Sequence, residues 1–103
     1  MKAYMIVRAV LHDRERFVEE YAKHVVPLME QYGGIYILRS PNTTVLEGIR
    51  EQSNSIVISQ WPSMEAAKEF WTSEEYGLLK KKREGLADCH VILVESEESF
   101  QNA

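Results

Sequence analysis

A single cysteine, Cys89, occurs in the 103-residue chain. No internal disulfide can form, and no thiolate metal cluster can be built. Long apolar runs are also missing. The densest, MKAYMIVRAVLHD at the amino end, is interrupted by Arg8 and falls well short of the roughly 20 residues that span a bilayer. It carries no small-residue cleavage site of the secretory kind. Positive charge is in deficit, with 12 Lys and Arg against 16 Asp and Glu. Broad nucleic-acid binding, which needs clustered cations against phosphate, is therefore not expected. The three histidines, His12, His24 and His90, lie on separate segments without metal-ligand spacing. Neither a glycine-rich phosphate loop nor a nucleophile elbow appears. These shortages leave the expectation of a cytoplasmic protein with no metal, no cofactor, and no nucleic-acid or membrane partner.

What the chain does have is apolar pattern, at 45% hydrophobic and 27% charged residues, ordinary values for a globular domain. The segment 3–11, AYMIVRAVL, is short and β-branched, which predicts a buried strand. Asp13 then caps a helix, along which Phe17, Tyr21, Val25, Leu28 and Tyr32 recur at spacings of four and three. Pro27 falls inside that helix, where it removes a backbone hydrogen bond at a cost of about 3 kcal/mol. Gly33 and Gly34 supply a left-handed stop. Strands follow at 35–40 and 56–61, with 44–48 as a continuation of the first and the polar REQSNS as the hairpin connection. Ser63 and Ser73 cap two further helical stretches, and 89–96 is the last strand. The order is β-α-β-β-α-β, the ferredoxin-like α+β arrangement of a four-stranded antiparallel sheet with helices on one face. A single domain over 1–96 and a disordered acidic tail over 97–103 are expected. Tyr4, Ile6 and Val10 oppose Met5, Val7, Ala9 and Leu11 on the first strand, so both faces are apolar. Helices can cover only one face. A second copy of the sheet, packed through a two-fold interface, is the simplest cover for the other.

KAYMIVRAVL, YGGIYILRS, LEG, WPSMEAAKEFW, SEEY and Arg83, spread over residues 2–95, together resemble domain-of-unknown-function family 1330. The resemblance implies a dimeric α+β barrel. That superfamily includes cofactor-independent monooxygenases of aromatic polyketides, haem-degrading enzymes, muconolactone isomerases and stress-related proteins. It also implies that Pro27 belongs to the scaffold, since the family tends to carry a proline in this helix. Ser40 and Pro41 stand where the family usually has glycines after the strand-two arginine, which stiffens residues 40–43.

Two sets of residues could carry chemistry. His24, on the border of the first helix's apolar face, could serve as a general base, or could be a boundary histidine bonded to backbone. Glu47 is either a catalytic carboxylate or an ion-pair partner. Arg8, Arg39 and Arg83 lie among apolar neighbours. Their guanidinium groups need an anionic ligand or an internal carboxylate such as Glu47, Asp88 or Glu95. From the aromatic set of Tyr4, Tyr21, Tyr36, Trp61, Phe70, Trp71 and Tyr76 an aromatic pocket could be lined, with Tyr21, Trp71 and Tyr76 beside Arg39 and Arg83, or these rings could simply be core. A small enzyme acting on an aromatic or enolisable substrate and a non-catalytic dimer binding a small ligand or a protein both fit these residues.

Overall fold

The computed structural model describes residues 1–48 and 55–97. Strand β1 (Ala3–Leu11) lies between β3 (Ser55–Trp61) and β4 (Ala87–Glu95), and β2 (Ile35–Ser40) flanks β3. All neighbours are antiparallel in the order β2-β3-β1-β4. Between β1 and β2 the chain forms α1 (Arg14–Phe17), a π-turn (Val18–Ala22) and α2 (Lys23–Gln31). Between β3 and β4 come α3 (Met64–Trp71), α4 (Glu74–Lys80) and a 3-10 turn (Lys81–Arg83). The helical turns start where the side chains dictate. Asp13, Ser63 and Ser73 each accept from the backbone N–H three residues on, at 3.1, 3.1 and 3.2 Å.

Two expectations are corrected. Strand β4 starts two residues earlier than its apolar run, because Ala87 and Asp88 pair with Leu11 and Val10. Residues 44–48 do not continue β2. β2 ends at Ser40, opposite Ile56, and beyond it Leu46 is left 95% exposed. The expected hairpin connection and the tail after Glu97 lie outside the described residues, apart from Ser55, which opens β3.

Register sorts the two faces. Ala3, Met5 and Ala9 of β1 are buried beneath the helices, as are Ser59 and Trp61 of β3. At the centre of this layer Trp61, 1% exposed, packs on Phe70 with ring centroids 5.0 Å apart. The two glycines after α2 divide their labour. Gly33 takes the left-handed stop at φ 85°. Gly34 instead lets the Trp61 ring approach, since a Cβ there would fall 2.7 Å from its atoms. On the other face Tyr4, Ile6, Ile58, Ile92 and Val94 fall together by register, with no element of the chain over them among the described residues. Ile92 is 57% exposed.

Candidate ligand-binding site

The inward positions Phe17, Tyr21, Val25 and Met29 step by four, longer than the 3.6 residues of an α-turn, and the wider π-turn absorbs that drift. Tyr21 sits in this π-turn and is buried. Ser73 starts α4 so that Tyr76 in its first turn also faces inward, 2% exposed. The two hydroxyls meet at 2.8 Å. Two phenols sharing one hydrogen bond hold two protons and use one of them. The second O–H has no protein acceptor among the described residues.

Around this pair stand Tyr36, Trp71, Arg83 and Arg39. The Trp71 ring lies 5.2 Å from that of Tyr76, and the Arg83 guanidinium lies 5.5 Å from the Tyr21 ring centre. Arg39 lies 5.7 Å from the ring of Tyr36. Residue 37 is an extra residue in β2, where the register shifts, and the bulge returns Tyr36 and Arg39 to one side of the sheet, opposite Ser59 and Val57. The structure thus brings Tyr21, Trp71, Tyr76 and Arg83 together on the helix side, while Arg39 lies exposed at the β2 edge beside Tyr36. Tyr36, one of the aromatic residues that the sequence offers for a pocket, faces the same side of the sheet. Two residues separate Tyr36 from Arg39 in the sequence, a spacing that only the bulge makes co-facial.

Burial pushes the phenols of Tyr21, Tyr36 and Tyr76 above the ordinary tyrosine range; Arg83 partly offsets this at Tyr21 and Tyr76, and Arg39 at Tyr36. Arg83 also reaches Cys89, whose thiol burial raises and the guanidinium pulls back. Internal pairing with Glu47, Asp88 or Glu95 is the alternative to a ligand, and for Arg39 and Arg83 it is not seen among the described residues. Asp88 accepts from His12 at 2.8 Å, and no carboxylate among the described residues lies in ion-pair range of Arg39 or Arg83. Arg8 turns to the opposite face beside Ile56 and His90.

The two residues considered for catalysis lie elsewhere. His24 is exposed, and its Nε2 donates to the carbonyl of Glu19 at 3.1 Å. It faces solvent rather than the sheet because the π-turn changes the phase of the helix ahead of it. Glu47 is exposed in the segment after β2. Below the phenols, Val57, Val7 and Val91 form one row across β3, β1 and β4 and remain only half-buried although they face the helices. An open hollow of about 580 Å³ adjoins the β4 end, lined by Lys80, Arg83, Glu84, Asp88 and Cys89 among others.

A stability prediction follows from the phenol pair. Tyr21→Phe or Tyr76→Phe each removes one partner and strands the other, at a cost of about 1–3 kcal/mol. The double variant should lose less than the sum, measured as a double-mutant cycle by urea unfolding. The folded state holds these protons more tightly than the unfolded chain, whose tyrosines ionise near pH 10. Their contribution is complete below about pH 10 and is lost as pH rises through the folded-state values. Tyr76→Phe should flatten that alkaline decline.

The layout defines a ferredoxin-like α+β protein with an arginine-flanked phenol cluster between sheet and helices. Residues 2–96 match the model of the family described as Domain of unknown function (DUF1330), and the chain belongs to that family. No curated protein matches the sequence. Among solved structures it is similar to the RPA0582 protein of unknown function from Rhodopseudomonas palustris, at 20% identity and TM-score 0.76, covering 93% of this chain and 82% of that one. It is similar also to SnoaB, a cofactor-independent oxygenase from Streptomyces nogalater, at 12% identity and TM-score 0.66, covering 93% of both chains. A conserved protein of unknown function from Bacteroides thetaiotaomicron aligns at 11% identity and TM-score 0.63, over 92% of this chain and 97% of that one. At these identities the likeness establishes the fold alone.

Proposed function

We propose that the protein is a homodimer that binds a small aromatic or enolisable anion between its helices and sheet. The observation that carries this reading is the pair of arginines, Arg39 and Arg83, beside a phenol cluster and without carboxylate partners among the described residues. An anionic oxygen would take charge-assisted hydrogen bonds from Arg83 and the unspent O–H of the Tyr21–Tyr76 pair. Trp71 and Tyr36 supply flat apolar surface for a ring. Such a site stabilises an enolate or phenolate, the species on which oxygenation or isomerisation proceeds, and the likeness to a cofactor-independent oxygenase fold supports that chemistry. His24 and Glu47 stand outside the binding set.

The second reading is a binding protein without turnover. It is favoured by the position of His24, whose Nε2 proton is already given to a backbone carbonyl. A thermal-shift screen with 2-naphthoate and related aromatic acids, followed by an assay of each positive for product under oxygen, separates the two. Arg83→Gln should weaken 2-naphthoate binding about tenfold, the worth of one charge-assisted hydrogen bond. Unchanged affinity in that variant would remove Arg83 from the site.

The dimer rests on the uncovered sheet face. Tyr4, Ile6, Ile58, Ile92 and Val94 make an apolar surface of a kind that isolated monomers rarely leave in water.

A further inference from the structure

The register of the sheet specifies the shape and charge of the ligand more closely. Arg39 sits opposite Val57 on β2, one edge of the sheet. Arg83 reaches Cys89 on β4, the other edge. Three strand spacings of about 4.8 Å separate these edges, roughly 14 Å of backbone. Between them runs the half-buried row Val57, Val7 and Val91, an apolar floor that crosses the strands. The phenols of Tyr21 and Tyr76 meet at 2.8 Å on this side of the sheet, and Tyr36 shares it from β2, opposite Ser59.

We infer that the ligand is an elongated, flat dianion, with one acidic group held by Arg39, the other by Arg83, and an aromatic body lying across the three valines. The inference rests on the anion-binding reading above and adds to it a second charge and a length. A monoanion would engage only one of the two guanidinium groups. A dianion with adjacent acidic groups would reach only one edge of the sheet.

The test uses the intact protein and calorimetric titration with three probes: biphenyl-4,4′-dicarboxylate, biphenyl-4-carboxylate and phthalate. The 4,4′-dicarboxylate should bind about tenfold or more tighter than the monocarboxylate, as expected for one added charge-assisted contact. Phthalate should show no such gain. Arg39→Gln, at an exposed position where folding should be unaffected, should reduce the dicarboxylate to the affinity of the monocarboxylate, and Arg83→Gln should do the same. Equal binding of the two biphenyl acids by the unmodified protein overturns the dianion and leaves the anion-binding reading standing. An advantage that survives Arg39→Gln also overturns it. Absence of binding by all three probes overturns both.

Discussion

Replacing Phe70 with alanine should destabilise the protein by about 3–5 kcal/mol, the cost of emptying a large aromatic position from a packed core. Phe70 is 2% exposed and touches three other rings, with centroids 5.9 Å from Tyr32, 5.0 Å from Trp61 and 4.5 Å from Tyr76. The cavity would open directly behind the Tyr21–Tyr76 hydroxyl pair, so the phenols would lose their fixed positions along with the core. For a chain of this length such a loss should lower Tm by well over 10 °C. Leu78→Ala is the matched comparison. Leu78 is 60% exposed on α4, and its truncation should change stability by no more than about 0.5 kcal/mol. Similar melting curves for the two variants would show that the aromatic stack is not what holds helices to sheet.

If the proposed dimer packs sheet to sheet, Ile92→Glu should convert it to a monomer at micromolar concentration. Ile92 lies mid-strand on the uncovered face, opposite Ile6, and a two-fold axis would bring the substituted carboxylate into the interface twice. An unpaired buried charge costs several kcal/mol, enough to raise the dissociation constant by about a hundredfold or more. The helix-side core contains no part of this side chain, so the monomer should remain folded by circular dichroism. Sedimentation of the unmodified protein as a monomer at the same concentration would remove the two-fold packing of sheets.

Much of the fold was legible because burial on a strand repeats every two residues and burial on a helix nearly every four. The bounds of β1 and β2 and all three side-chain caps follow from that rule together with local hydrogen bonding. The site was legible in composition but not in geometry. Tyr21, Trp71, Tyr76 and Arg83 carry the helical period, and a stripe locates them. The alignment of Tyr36 with Arg39 could not be found in that way, because it depends on a one-residue bulge in the pairing of β2 with β3. His24 has the backbone hydrogen bond that one of its two readings expects, but the side chain lies in a different direction. A period of 3.6 places it toward the sheet, and the π-turn before it, invisible to that period, turns it to solvent. The early question about the arginines needed distances, since Asp88 looked available in sequence and is held by His12 in space.

Binding of a ligand on the helix side of the sheet can be observed directly. Register assigns Val7, Val57 and Val91 to the helix side, and Ile6, Ile58 and Ile92 to the opposite face. Methyl-resolved NMR during titration with 2-naphthoate should therefore shift the three valines and leave the three isoleucines in place. Shifts confined to the isoleucines, with the valines unmoved, would place the ligand on the wrong face and contradict the account.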